Sequence, residues 1–441
     1  MMHPQASEAD VLEMVPPEAE QAELFEMESE ATSIRFEASR LKAYEVSQSE
    51  GLALRLVAEG RLGFAAVSDV SAKGRLVQNA VESARYGEAV PIRFPSPQPA
   101  QAVRVCDERL ADLPSARLVE MGRQAVQSLQ EAEPEGQVDV HLERRVRRTS
   151  VVNSAGTAVV RRSTVLSISV EMQRVRQDDV LMIGDYYSTA MWDEQYPAML
   201  ARLAQKVRLA RELASLPSGR MPVLFAPAGA VVLLLPLSQG LNGKNVYRGT
   251  SPIGNRVGEQ LLDAKFTLLD DPTLDGRPGS GAYDDEGVAR RRRALIEQGV
   301  LKGFIYDLKT AALAGTEPTG NGERSLFAPP APEFSNLVVA PGEAPLADIL
   351  AGVDEGLLVE DALGLGQGNA ISGAFSHPLS LAFKIEHGEI VGRVKDVSIA
   401  GNVYDELKHI AALSREREWV YGGMYLPYVL LPELNVVSKS G

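Results

Sequence analysis

The stretch Gly51-Leu52-Ala53-Leu54-Arg55-Leu56-Val57-Ala58-Glu59-Gly60-Arg61-Leu62-Gly63-Phe64-Ala65-Ala66 carries the clearest structural signal in the chain. Leu52, Leu54 and Leu56 alternate, Glu59-Gly60 interrupts, and Leu62, Phe64 and Ala66 alternate again. A period of two sets one face of an extended strand against a core, and Gly accepts the positive φ that a two-residue hairpin turn demands. Two antiparallel strands follow. Gln298-Gly299 and His387-Gly388 repeat the arrangement between apolar segments further on. Strands gathered into hairpins, rather than alternating singly with helices, point to an α+β fold of two domains with antiparallel sheets and flanking helices.

Working outward, Ala22 to Ser68 reads as successive short strands. Residues 1–21 are acidic, contain Pro4, Pro16 and Pro17, and show no period, so they read as a disordered leader. Downstream, Leu76, Val77, Ala80, Val81 and Ala84 form a helical stripe with Gly87 at the C-cap position. An irregular connection is expected over 88–104, and a helix over Leu118–Leu129 with Ser115 as N-cap. Strands are expected at Val138–His141 and over Val146–Val170, around the turn Asn153-Ser154-Ala155-Gly156, with a helix near Pro197–Leu213. Leu216-Pro217-Ser218-Gly219 marks a boundary. It divides an N-terminal α+β domain, 22–217, from a strand-rich C-terminal domain, 218–441, with helices near Ala228–Gln239, Pro345–Val353 and Asn402–Leu413.

Composition removes several function classes. Of 441 residues, 45% are hydrophobic and 24% charged, which excludes a disordered or fibrous chain. The net charge of −14 repels a polyanion, so direct nucleic-acid binding is disfavoured, and Arg290–Arg293 reads as a solvated face. The first thirty residues hold nine acids and no Lys or Arg, unlike a secretory signal. The uncharged stretch Met221–Gly243 is broken by Pro222, Pro227 and Pro236 and reads as a buried strand–helix unit rather than a membrane span. A cytoplasmic protein is expected. Cys106 is the single cysteine, which forbids an internal disulfide or a multi-cysteine zinc site, and it lacks a partner that would activate it.

Five histidines, His3, His141, His377, His387 and His409, are too dispersed for His-Glu-x-x-His or its one-residue-longer variant. His141 is expected to end a strand, His387 to occupy a turn and His409 to sit on a helix. His377, in an expected polar loop with Ser376, is the one to watch. Gly-x-Ser-x-Gly is absent, and no Walker Lys-Ser/Thr follows Gly364-Leu365-Gly366-Gln367-Gly368.

The order of the remaining motifs resembles the TldD/PmbA family, the modulators of DNA gyrase. Gly51–Leu56 with Gly60–Ala65 resembles its first signature, and Asn153–Gly156 fits the next element. Asp271-Pro272, Asp285-Glu286-Gly287, Gln298–Leu301, Thr310-Ala311, Pro318–Asn321, Ser372–Ser376, Ile385–Ile390 and Ile399–Asn402 continue the series. The catalytic TldD branch carries His-Glu-x-x-x-His on the helix after the first strand of its second domain, and a Cys ligand near its C-terminus. Here the comparable stretch, Leu237–Arg248, holds neither His nor acid, and no Cys follows Cys106. The resemblance is therefore to the PmbA (TldE) branch, although Ala374 stands where Asp is usual.

That resemblance implies a non-catalytic subunit of a TldD-type zinc protease acting on unfolded or short peptides. No cofactor is expected in this chain, with zinc only in a TldD-like partner; a homodimer is the other expected assembly. The alternatives left open are an active metallopeptidase with a site built from dispersed His and carboxylates, and a protein-binding modulator of gyrase. A peptide is placed near the lost metal helix and two polar loops: Asn242, Tyr247, Arg248, Thr319, Asn321, Ser376 and His377.

Overall fold

The run Leu52–Val57 is buried on both of its faces, and the architecture follows from what covers each one. The computed structural model describes residues 6–439 apart from 178 and 194. The first sheet comprises β1 (Ala19–Glu37), β2 (Arg40–Ala58), β3 (Arg61–Val67), β4 (Gln137–Asn153), β5 (Ala158–Arg176) and β6 (Asp179–Thr189). They lie in the order β3-β2-β1-β4-β5-β6, every pair antiparallel. Its companion helices are α1 (Ala6–Glu13), α2 (Lys73–Arg85), α3 (Glu108–Ala111), α4 (Ser115–Ala132) and α5 (Gln195–Leu209).

One face of the β2 run presents Leu52, Leu54 and Leu56 to Leu76, Val77, Ala80 and Ala84 of α2. Helix and sheet approach so closely that a Cβ on Gly63 would stand 2.2 Å from the Ala80 carbonyl oxygen. The other face turns Ala53 towards Leu326 and Val57 towards Val288 and Leu308, all from the second half of the chain. Each buried Leu or Val among them contributes about 1.5–3 kcal/mol by leaving water.

The second half opens with β7 (Gly219–Phe225), α6 (Val231–Leu241) and α7 (Gly243–Tyr247). Short elements follow: β8 (Leu268–Asp270), β9 (Arg293–Glu297), β10 (Val300–Leu301), α8 (Leu308–Ala314), β11 (Gly322–Glu323), β12 (Ala331–Pro332), β13 (Leu337–Val339) and α9 (Leu346–Ala351). The chain closes with β14 (Glu355–Ala362), β15 (Ala374–Glu386), β16 (Glu389–Arg393), β17 (Val397–Asn402), α10 (Val403–Glu406), β18 (Ala412–Val420) and β19 (Met424–Ser438). Pairing of β19 with β17 at one edge and β7 at the other closes a ring, β19-β17-β15-β14-β7. Two pairs in this sheet, β14 with β7 and β13 with β19, are parallel. The core under α4 and α5 continues into Leu224, Leu358 and Phe383, so the two halves share it.

The hairpin turns have the backbone the sequence requires. Glu59-Gly60, Gln298-Gly299 and His387-Gly388 all adopt positive φ at both residues. Other expectations need correction. The disordered leader is replaced, over residues 6–21, by α1 and the start of β1; Val11 is wholly buried against the α2 cluster, with Leu12 and Val15 packed on it. Residues 1–5 lie outside the described residues. The strands between Ala22 and Ser68 are not short, since β1 and β2 each run for 19 residues. Pro114, not Ser115, precedes α4, with no side-chain cap. His141 lies inside β4, and His409 lies beyond α10, which Asn402 caps and which ends at Glu406. Ser376 and His377 form no loop but belong to β15, paired with Ala400 and Ile399. Nor is Arg290–Arg293 one solvated face, because Arg290 is buried, pairs with Glu323 and donates to the Gly279 carbonyl.

Candidate functional site

The helix α6, Val-Val-Leu-Leu-Leu-Pro-Leu-Ser-Gln-Gly-Leu, is apolar apart from Ser238 and Gln239 near its end, and so strongly apolar a helix is mostly buried. Val231–Leu234, Leu237, Gly240 and Leu241 are covered on every side. Pro236 removes an N–H inside the helix, and the Tyr404 hydroxyl lies 3.3 Å from its carbonyl oxygen. After α6, the Asn242 side chain caps α7 by accepting from the Lys244 N–H at 3.0 Å, while its Nδ2 donates to the Pro332 carbonyl at 2.9 Å. Gly243 is pressed against Tyr306, where a Cβ would meet the ring at 2.2 Å.

Thr319 and Asn321 meet this joint from the other side. The Tyr306 N–H donates to Thr319 Oγ1 at 2.7 Å, and Thr319 Oγ1 donates to Asn321 Oδ1 at 2.7 Å. Asn321 Nδ2 donates to Asp270 Oδ2 at 2.7 Å and to the Glu333 carbonyl at 3.0 Å. Asn242 and Asn321 thus hold the successive carbonyls of Pro332 and Glu333. The structure brings these residues together, but Thr319 and Asn321 are buried and their polar atoms are spent on one another. Burial pushes the Asp270 carboxyl above its ordinary range despite the bond from Asn321. Tyr247, 47% exposed, and Arg248 stand free at the surface beyond the joint. Ser376 and His377 are held elsewhere, in β15, where the His377 ring stacks on Phe375 with centroids 6.3 Å apart.

A structural zinc site needs four Cys, His or carboxylate ligands, and a catalytic one three with an open position. On Leu237–Arg248, the polar side chains Ser238, Gln239, Asn242 and Asn245 include none of these, and Ser238 Oγ donates back to the Leu235 carbonyl at 2.7 Å. Among the described residues, no three or more His, Cys, Asp or Glu side chains converge to hold a metal. The residues present do not fit a zinc ion at this helix.

Two arrangements had no simple signal in the sequence. The first is a buried charge network joining the halves. Arg55 in β2 donates from Nε and Nη2 to Glu23 at 3.0 and 2.7 Å, and from Nη1 to Glu286 at 2.7 Å. Arg324 Nη2 donates to Glu23 at 2.7 Å, and Arg161 Nη2 donates to Asp285 at 2.9 Å. Burial pushes the Glu286 carboxyl up to about 8; Arg55 opposes this, and the acids Asp284 and Asp307 add to it. Glu23 goes the other way, because Arg324 and Arg55 together outweigh its burial and hold it below the ordinary range.

The second is a cleft of about 320 Å³ where β6 and α5 face the ends of β14 and β18. Lys206 Nζ pairs with Glu360 at 2.7 Å inside it, and Ser380 donates to Asp361 at 2.6 Å. Burial raises the Asp185 carboxyl, with Lys206 opposing, and Trp419 and Tyr421 form part of the wall. The cleft combines acceptor groups with aromatic surface. Its residues come from distant parts of the chain, so no local motif announces it.

Comparison with known proteins follows the same lines. The family described as PmbA/TldA metallopeptidase C-terminal domain matches residues 218–438, and its domain 1 matches residues 22–84. A protein named metalloprotease PmbA from Escherichia coli O157:H7 is 25% identical over 440 residues, 97% of this chain and 94% of that one. A metalloprotease TldD homolog from Haemophilus influenzae is 33% identical over 204 residues, 46% of this chain. The match spans only 42% of the length of that relative, and likewise of a metalloprotease from Methanothermobacter thermautotrophicus. Among solved structures, TldE from Thermococcus kodakarensis superposes with a TM-score of 0.89, covering 98% of this chain and 100% of that one at 24% identity. That likeness concerns the fold.

Proposed function

The chain belongs to the PmbA/TldD metallopeptidase family, and from that premise we propose that it is a non-catalytic subunit serving a TldD-type zinc protease. One observation carries the reading. The α6–α7 segment, where the catalytic branch would present its ligands, offers no imidazole, carboxylate or thiolate, and its helix buries Val231–Leu234, Leu237 and Leu241, leaving only Leu235, Ser238 and Gln239 open to solvent. In this reading the reacting groups belong to the partner subunit, and this chain supplies wall and grip. Tyr247 offers stacking area and Arg248 a charge for a peptide carbonyl or terminus, while Asn242, Thr319 and Asn321 fix the surface on which they stand.

Metal analysis of the chain purified without a metal-affinity tag tests this. The expected result is far less than one zinc per chain and no peptide cleavage. Close to one zinc per chain, with proteolysis that a chelator abolishes, would instead establish the reading in which dispersed residues build an active centre. Under the proposal, Arg248→Ala weakens peptide cleavage by the reconstituted pair, and Arg256→Ala, at an exposed surface ion pair, leaves it unchanged.

A further inference from the structure

We propose that the cavity between the open edge of β5 and the loop Gly281–Asp285 binds a small aliphatic carboxylate, held by Thr149, Arg161 and Arg147. This goes beyond the protease reading and does not rest on it. Strand β6 pairs with β5 only from Leu166 onwards, so Ala158–Val165 has no strand on that side among the described residues. The chain at Val103–Asp107 approaches it instead, and the Thr164 N–H donates to the Val105 carbonyl at 3.0 Å. Between this strap, the strand edge and Gly281–Asp285 lies a space of about 220 Å³. It has room for several waters, yet falls below the about 300–1,000 Å³ of pockets that take drug-sized ligands. Its occupant is small.

Five valines, Val103, Val105, Val151, Val159 and Val160, give the wall its aliphatic character. Polar groups in such a setting are normally bonded to one another, and here several donors are not. Thr149 is 4% exposed and lines the cavity, yet its hydroxyl makes no hydrogen bond among the described residues. Arg161 stands opposite it on the same face of the sheet, gives Nη2 to Asp285 at 2.9 Å and leaves Nη1 unbonded near Gly281. The alternation of the ladder also turns the N–H groups of Val160 and Arg162 to the same open edge as that of Thr164.

Arg147 sets the charge of the ligand. It shares the face of Thr149, two residues before it in β4 and opposite Ser163 in β5. Among the described residues it has no hydrogen bond or ion pair, and its Nε is shut away from solvent. Its neighbours are committed: Arg145 pairs with Glu143, Arg162 with Glu108 and Asp285 with Arg161. Burial pulls the Arg147 guanidinium below its ordinary range, Asp285 opposes this, and Arg161 and Arg145 add to it. A cation so placed gains from an anion beside it. Two acids line the cavity, but Asp285 holds Arg161, and Asp284 accepts from the N–H groups of Glu286, Val288 and Gly322 at 2.9–3.0 Å. Unbonded donors, an uncompensated guanidinium and valine walls together fit a carboxylate on a short branched chain. A free acid and the last residue of a peptide both present that chemistry.

Ligand-observed NMR titration of the full chain is expected to give dissociation constants of about 0.1–3 mM for isovalerate and N-acetylvaline, a range set by so few ligand atoms. N-acetylvalinamide, which lacks the carboxylate, and inorganic phosphate, which lacks the aliphatic part, should bind about tenfold more weakly. Both acids binding supports the site; the tighter of the two identifies its source as a peptide end or a free acid. Arg147→Gln should raise Kd about tenfold while Tm stays level or rises, because an uncompensated charge is removed. Thr149→Val should raise Kd about threefold, and Thr149→Ser, which keeps the hydroxyl, should bind as the wild type does. Ala282→Leu should abolish binding by filling the cavity, whereas Arg145→Gln, at a cation already paired, should change Kd less than about threefold. Tm reports whether each variant folds, and the Thr149 and Ala282 variants decide the matter if Arg147→Gln does not. No binding at about 30 mM, an amide or phosphate that binds as well as the acids, or Arg147 and Ala282 variants that bind like wild type would overturn the proposal. None of those results bears on a protease partner.

Discussion

Replacing Arg55 by Met removes the cation that ties the first sheet to the second half. The side chain is 1% exposed and bonds Glu23 twice and Glu286 once. After the change Glu23 keeps Arg324, but Glu286 keeps only the Leu308 N–H at 2.8 Å and no guanidinium. Removing one partner of a buried ion pair costs about 3–5 kcal/mol, here because the Glu23 anion stays buried with one guanidinium fewer and Glu286 joins it wherever it is ionised. Unfolding entropy of about 2.1 cal/mol/K per residue, over 441 residues, gives about 0.9 kcal/mol/K for a chain that melts as one unit. A cost of about 4 kcal/mol then lowers Tm by about 4 °C, and by more if the first sheet melts separately.

The pH dependence follows from the sign. The Glu286 carboxyl titrates in the folded state near 8, above its ordinary 4.5, so its contribution is fully present below the ordinary value and is lost as pH rises through about 8. Arg55 opposes that loss. Its removal should cost more at about pH 9 than at about pH 6, where Glu286 is protonated in either protein. Urea melts of wild type and Arg55→Met at both pH values measure the difference. A loss under about 1 kcal/mol, or one equal at both pH values, would refute the reasoning.

Gly243→Ala should destabilise by about 1–3 kcal/mol through the clash with Tyr306 and the Ile305 carbonyl, whereas Gly303→Ala, with open space around it, should leave Tm unchanged. Asn321→Ala should cost about 1–3 kcal/mol by leaving the buried Asp270 carboxyl short of a donor, read as a shift in the urea midpoint. Burial raises the Cys106 thiol, with Arg162 opposing, so labelling by a disulfide reagent should be slow near neutral pH and accelerate in alkali; a fast phase at neutral pH would contradict that assignment.

The hairpins were legible because their turns need a residue with little steric penalty at positive φ, and Gly60, Gly299 and Gly388 advertise it. The turn Ala38-Ser39 adopts positive φ without Gly and so gave no signal. Acidic composition hid α1, whose deeply buried Val11 depends on a surface supplied by α2 and β2. In the site, the segment around Asn242 was legible through its missing ligands. The roles of Thr319 and Asn321 were not, because their partners Tyr306, Asp270 and Glu333 are distant in sequence. Arg55 was visible as a lone charge in a leucine strand, yet only the fold reveals that Glu286, 231 residues away, meets it.

The most direct test of the protease account is peptide cleavage by a TldD-type zinc subunit, measured with and without this chain and with this chain alone. The account predicts no cleavage from the chain alone and a chelator-sensitive rate that rises when both are mixed. Chelator-sensitive cleavage by the chain alone, or a zinc subunit whose rate and substrate range are indifferent to its presence, would contradict it.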